Sequence, residues 1–488
     1  MKSPTVASER VPLITKLAFG MGDVGPAIVT IISGFFLLFF LTDIAGLSPA
    51  AAGTILLITK IWDALNDPVI GTLSDRVPTR WGRRRPWFLF GAIPFGLCFW
   101  LLFQVPALSA SGKFWYYLIV SLLLDTVYTI VNVPYTALTP ELTSDYDERT
   151  SLNSYRFAFS IGGSLLAGAL HPLLVQRVVA GGGSVQAGYS ASLTVWAIVA
   201  TLPFFVAFWG TYERPQAVAS EHEDELPFLV GLTTTFANRA FRYVAGIYLL
   251  SWLVVQTVST IIIYYLTYWL RRPDLQAPVI VAVQGSALIW LLIWTRVSRR
   301  VGKKGVYYRG MFFWVAVLLG LFVVQPSWPS WSVLLLGALA GVGVATAYLV
   351  PWAMLPDVIE LDELETGRRR EGVYYGFVVL LQKIGLALGL FTVGQILQFT
   401  GYNSALTEQP ASALLAIRLM IGPIPALVLI AGVALVYRFP ITKAQHERTL
   451  AELARRREAR TENQEPRTEN KGTKEQENKG THEPSPSG

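Results

Sequence analysis

Charge is what this sequence has least of. Of 488 residues, only 15 % are Asp, Glu, Lys or Arg, while 52 % are apolar. A water-soluble domain carries about a quarter charged residues. The deficit means that most side chains face something other than water. Cysteine is almost missing too: Cys98 stands alone inside an apolar run. That excludes a disulfide framework and a thiolate metal site. Of four histidines, only His171 lies in an apolar stretch, beside Pro172. No cleavable leader is expected, because Met1–Arg10 is polar and the first apolar run is long. The net charge of +7 would point to nucleic acid in a soluble chain. Here the basic residues gather in loops between apolar runs, so no nucleic-acid partner is expected.

What is present in abundance is long apolar sequence. A bilayer core about 30 Å thick takes ~20 apolar helical residues to cross. Such runs recur between Val11 and Phe439. Lipid offers no partner to a free backbone N–H or C=O, so the runs are expected to be helices. A β-barrel would show short alternating segments instead. We read an all-α polytopic membrane protein of about twelve spans: 12–42, 50–74, 86–106, 113–139, 152–177, 188–210, 241–270, 277–298, 306–325, 331–356, 372–400 and 411–438. The loops after spans two, eight and ten are rich in Arg and Lys, the last through Arg368, Arg369 and Arg370. Those after spans one, nine and eleven have none. The positive-inside rule then puts both termini in the cytoplasm, with Arg271 and Arg272 as an exception.

The spans divide into two sixes. Residues 1–210 form an N-terminal bundle, 211–240 a cytoplasmic middle loop containing the acidic run Glu221–Glu225, and 241–439 a C-terminal bundle. Residues 440–488 form a cytoplasmic tail, helical at first over Lys443–Arg460 and then largely disordered. The halves echo each other. Leu138-Thr139-Pro140-Glu141 ends span four, and Leu355-Pro356-Asp357 ends span ten. Gly82-Arg83-Arg84 follows span two, and Gly302-Lys303-Lys304 follows span eight. Parallel six-helix halves are the plan of the major facilitator fold, whose binding site lies between them at mid-membrane.

Ionisable groups at membrane depth are costly, so they are functional candidates. The densest group is Trp62-Asp63-Ala64-Leu65-Asn66-Asp67-Pro68, in the middle of span two. Asp63 and Asp67 are four apart and share a helix face, with Asn66 close to it. Hard oxygen ligands of this kind suit a small cation or a shared proton. A buried ion-pair lock between helices is the structural alternative. Span four carries Asp125, Thr129, Asn132 and Thr136 at i, i+4, i+7 and i+11, one face again. Thr129 is expected to join the cation cluster and Asn132 to bind a polar solute, while Thr136 reads as interhelical glue. Arg156 and Lys383 are deep cations, either of which would neutralise Asp63 or Asp67 in the empty state. Tyr128 and Tyr375 offer aromatic platforms.

Together these motifs name a family. Gly71-x-x-x-Asp75-Arg76 with Gly82-Arg83-Arg84 resembles the conformational-switch loop of the major facilitator superfamily. The Asp-x-x-Asn-Asp-Pro block, Trp81-Gly82-Arg83-x-Arg85-Pro86-Trp87 and Asn132-x-Pro134-Tyr135 resemble the glycoside–pentoside–hexuronide:cation symporters, the melibiose permease-like family, over about residues 12–439. The resemblance implies a sodium site at Asp63, Asn66, Asp67 and Thr129, and cavity cations at Lys383 and Arg156. It does not extend to the family's galactoside carboxylates. Ala27 and Asn132 stand at those two positions, and Thr136 at that of the stacking aromatic. Asp23 is an extra acid placed to replace the missing carboxylate from a turn earlier, and Asp125 is a similar extra acid in span four. The implied activity is cation-coupled symport of a sugar or sugar acid by alternating access, with Na⁺ or H⁺ as coupling ion. A sodium-coupled lysophospholipid carrier and a non-transporting sensor are the competing readings. No enzyme, cofactor, metal beyond Na⁺ or obligate protein partner is expected. The partners are a small solute and membrane lipid, in a plasma membrane or bacterial inner membrane.

Overall fold

The computed structural model describes residues 10–77, 79–143, 145–213, 234–368 and 370–464. The middle-loop residues 214–233 with their acidic run, Arg369 and the tail from 465 onward lie outside the described residues. Within them the chain is helical, as expected. The first span runs through α1 (Leu13–Met21) and α2 (Val24–Ile32), then continues in two π-helical turns, Ser33–Leu37 and Phe40–Ile44. The N-terminal half is completed by α3 (Pro49–Arg76), α4 (Arg85–Leu102), α5 (Ala110–Thr136), the short α6 (Thr139–Leu142), α7 (Tyr146–Ala180) and α8 (Val185–Gly210). The C-terminal half has α9 (Arg239–Tyr264), α10 (Gln276–Val323), α11 (Ser330–Thr366), α12 (Glu371–Phe399), α13 (Ala411–Ile421) and α14 (Pro423–Arg438). The helix α15 (Lys443–Gln464) follows, where the tail was expected to begin helical.

Ten stretches among the described residues are long and apolar enough to cross a membrane. Two observations reconcile that number with twelve. Helix α10 is two spans joined across a break at Gly302, whose φ of 72° only glycine adopts easily. Helix α3 is long enough but is not among the ten, and it carries Lys60, Asp63 and Asp67. Local capping holds the ends in place. Ser48, Ser109, Asp145, Ser184 and Asn238 each accept a backbone N–H at the start of the helix that follows.

The two halves meet at one end of the bundle, opposite the face where α1 begins and α15 lies. At this opposite face one hydrophobic core runs through both halves, including Phe36, Leu41, Ile261, Leu266, Leu390 and Ile417. Helices α3 and α12 cross there backbone to backbone. A Cβ on Gly394 would stand 2.5 Å from the Pro49 carbonyl oxygen and 3.0 Å from Gly53 Cα. Beside that crossing, Asp43 accepts hydrogen bonds from Tyr268 and from Tyr402, the latter at 2.5 Å, and Thr42 pairs with Tyr264 at 2.7 Å. Deeper in, Gln256 donates to the Gly34 carbonyl at 3.0 Å. At the terminal face the ion pairs stay within one half. Arg83 and Arg84 meet Glu141, Lys303 meets Asp357 at 2.5 Å, and Arg370 meets Asp362 at 2.7 Å.

Candidate functional site

Helix α3 positions the central cluster. Lys60, Asp63 and Asp67 follow one another at three and four residues, which puts them on one face. Helix α5 supplies Asp125 and Thr129 from the neighbouring wall, and α12 supplies Lys383 from the other half. The Lys383 ammonium lies 2.9 Å from Asp63 Oδ1 and 2.6 Å from Asp67 Oδ2. Lys60 lies 2.9 Å from Asp125 Oδ1 and 3.4 Å from Asp63 Oδ2. Thr129 donates to Asp67 Oδ1 at 3.1 Å. Asn66 is buried beside them, with its amide nitrogen unpartnered. Three carboxylates against two ammonium groups leave one negative charge, next to a cavity of about 380 Å³. That volume falls in the range of roughly 300–1,000 Å³ seen for small-molecule sites. Asn132, Tyr128 and Gln382 line the same cavity.

The expected residues sort as follows. Asp63, Asp67 and Thr129 come together, with Asn66 on the same helix. Asn132 and Tyr128 face the cavity, and the Tyr128 hydroxyl is 3.5 Å from that of Thr30. Asp125 lines the same cavity and is paired there with Lys60. Arg156 is a correction. Only Lys383 of the two deep cations reaches Asp63 and Asp67, whereas Arg156 Nε is 3.9 Å from Asp23. The two are neighbours on packed helices, and neither lines this cavity. Tyr375 stacks on Trp352 at 5.7 Å and is not part of the lining either. The Thr136 hydroxyl bonds its own helix, at the Val133 carbonyl, rather than a neighbour. The residue that sequence reasoning missed is Lys60. Its signal was available: an ammonium at membrane depth, one turn from Asp63.

The switch loop is tied within the N-terminal half. Arg84 donates a hydrogen bond to Asp75 at 2.9 Å and forms an ion pair with Glu141 at 3.1 Å. Arg83, outside the spans, has its pKa raised, foremost by its hydrogen bond to Glu141. The Glu213 carboxylate receives the backbone N–H groups of Arg83, Arg84 and Arg85, sealing the positive end of α4. Gly82 has φ 103°, and a Cβ there would meet that carboxylate. Gly71 faces Val133 across α5, and Arg76 closes α3. Lys303 with Asp357 repeats Arg83 with Glu141 in the other half, between the motifs that recur in the two halves. One further group of ligand-type side chains occurs among the described residues: Asp357, Glu360 and His446. Lys303 already neutralises Asp357 there, so the group reads as the joint that seats α15.

The family profile described as MFS/sugar transport protein matches residues 18–443. An uncharacterized symporter of Synechocystis sp. is 40 % identical, over 91 % of this chain and 97 % of its own length. The putative glycoside/cation symporter YagG of Escherichia coli (strain K12) is 31 % identical, over 92 % of this chain and 96 % of its own. The sodium-dependent lysophosphatidylcholine symporter 1-A of Danio rerio is 28 % identical, over 89 % of this chain and 86 % of its own. Among solved structures, a bacterial homolog of the human lysosomal transporter Spinster superposes with a TM-score of 0.65 at 13 % identity, over 90 % of this chain and 97 % of that one. That likeness concerns the fold alone.

Proposed function

This chain belongs to the MFS/sugar transport protein family, with symporters among its relatives, and we propose that it couples the movement of a sugar or glycoside to Na⁺ or H⁺ by alternating access. The observation that carries this reading is the Lys383 ammonium seated on Asp63 and Asp67. The carboxylates belong to the N-terminal half and the ammonium to the C-terminal half. A cation that takes Asp63, Asp67, the Thr129 hydroxyl and the Asn66 side chain as ligands competes with Lys383 for the same oxygens. Its arrival frees the two halves from one another at mid-membrane, next to the cavity where Asn132 and Tyr128 meet the solute. The halves then rock about the loaded site. The basic loops put the terminal face in the cytoplasm, so the arrangement sealed by Asp43 and the α3–α12 crossing faces inward.

The named activity of YagG supports a glycoside as solute. A second reading, an amphiphile, is supported by the lysophosphatidylcholine relative. The test is uptake into liposomes containing the purified protein, with an inward Na⁺ or H⁺ gradient. Asp63→Asn and Asp67→Asn should each abolish gradient-driven accumulation. Normal uphill accumulation in both variants overturns the cation site.

A further inference from the structure

The cavity has a second lobe whose chemistry differs from the first. It has a volume of about 370 Å³ and lies among α2 with the π-helical turn after it, α7, α9, α10, α11 and α12, sharing Thr30, Gly34, Gln256, Gln382 and Leu386 with the charged lobe. Not one ionisable acid or base lines it. Its walls are largely aliphatic, with neutral hydrogen-bonding groups set among them beside an aromatic pair. Gln284, Ser164 and Ser259 have no hydrogen-bond partner among the described residues, and Gln382 spends its carbonyl oxygen on Tyr248 while its NH₂ group has no partner. Trp252 and Tyr348 stand side by side, ring centroids 5.1 Å apart.

We infer that this lobe, built mainly by the C-terminal half, is the subsite that holds a neutral sugar ring. The inference rests on the symport reading above and adds where the ring sits and what charge it has. These four polar side chains are half-buried and face the lobe, and a ligand that strips water from an amide or hydroxyl without replacing the hydrogen bond loses free energy. A pyranose or furanose ring offers hydroxyls that donate and accept, matching glutamine and serine, and a C–H face that lies against aromatic rings. An acyl chain would strand the same polar groups. A sugar acid would bring a carboxylate to a lobe that no lysine or arginine lines. This also accounts for Ala27 and Asn132 where the galactoside carriers have carboxylates. The ring is recognised mainly from the opposite half, with Ser164 of α7 as a contact from this one.

The test uses the full chain in liposomes and five labelled probes: methyl α-D-glucopyranoside, isoprimeverose, melibiose, glucuronate and lysophosphatidylcholine. A neutral sugar should accumulate, and Gln284→Leu should raise its KM about tenfold, the loss of one neutral hydrogen bond. The double variant Ser164→Ala, Ser259→Ala should raise it again. Cation-induced tryptophan fluorescence without sugar should remain in every variant, which shows that they fold and keep the charged lobe. Sugar accumulation with KM unchanged in these variants overturns the subsite while leaving symport standing. Preference for glucuronate overturns the assignment of a neutral ring. Accumulation of lysophosphatidylcholine alone overturns the sugar reading and the subsite with it.

Discussion

Replacing Lys383 by methionine should tighten cation binding while destroying coupling. The ammonium lies 2.9 Å and 2.6 Å from two carboxylates, so an entering cation must share or displace it. Two unit charges ~4 Å apart repel by about 4 kcal/mol at an effective dielectric constant near 20. Lys383 swings away to relieve part of that repulsion, so its deletion recovers only a fraction. A gain of about 1.4–3 kcal/mol corresponds to a half-saturating cation concentration roughly ten- to hundredfold lower. Meanwhile the unbound protein is left with two uncompensated negative charges. Breaking a buried pair by removing one partner costs about 3–5 kcal/mol, so the cation-free variant should melt earlier than the parent. Saturating cation should restore most of the difference, because a ligand stabilises the state it binds. The assay is a Na⁺ titration at fixed pH, and a pH titration without Na⁺, each read by tryptophan fluorescence and by melting temperature. Uptake against a gradient should fall to simple equilibration. An unchanged half-saturating concentration together with normal uphill accumulation would refute the exchange of Lys383 for the cation.

Two further predictions concern the seal at the opposite face. Gly394→Val places a side chain 2.5 Å from the Pro49 carbonyl, against backbone that has no freedom to yield. The variant should abandon this closed arrangement. In a Cys98→Ala background, a cysteine at Gly34 should then react faster with an impermeant thiol reagent added from the opposite face, and an unchanged rate would count against the crossing as the seal. Tyr402→Phe removes one of the two tyrosine hydroxyls held by Asp43 Oδ1. One hydrogen bond is worth about 1 kcal/mol, so the same labelling rate should rise by roughly fivefold. No change would show that Tyr402 packs without latching.

The legible part of the site was the part that violates its surroundings. Asp63, Asn66 and Asp67 interrupt a span, Thr129 falls on the face that Asp125 begins, and Lys383 is an ammonium within an apolar run. Each is an oddity measured against lipid. The twelve spans were legible for the converse reason, since long apolar sequence has few alternatives in a bilayer. Partner choice was not legible. Arg156 and Lys383 look equivalent in sequence, and only helix packing sends one to Asp23 and the other to Asp63. Gln284 and Gln382 carried no signal at all, because a neutral amide within a span reads equally as glue between helices. Gly53 and Gly394 acquire meaning only once α3 and α12 are seen to cross.

The two lysines do different work because of where their helices belong. Lys60 shares α3 with Asp63 and the N-terminal half with Asp125, so it travels with the carboxylates and screens them in every arrangement of the two halves. A contact that is the same in all states shifts no equilibrium. Lys383 comes from the other half, and its distance to Asp63 and Asp67 changes when the halves rock. In the proposed symport it is therefore the charge that would link cation binding to solute access, and the link would run both ways: solute that favours the rearranged halves must tighten cation binding by the same factor. Exchanging the two roles in the mind shows the need for both. With Lys383 alone, Asp125 would stand bare in the membrane interior with or without a bound cation. With Lys60 alone, the site would bind its cation and the other half would have no ammonium with which to sense it.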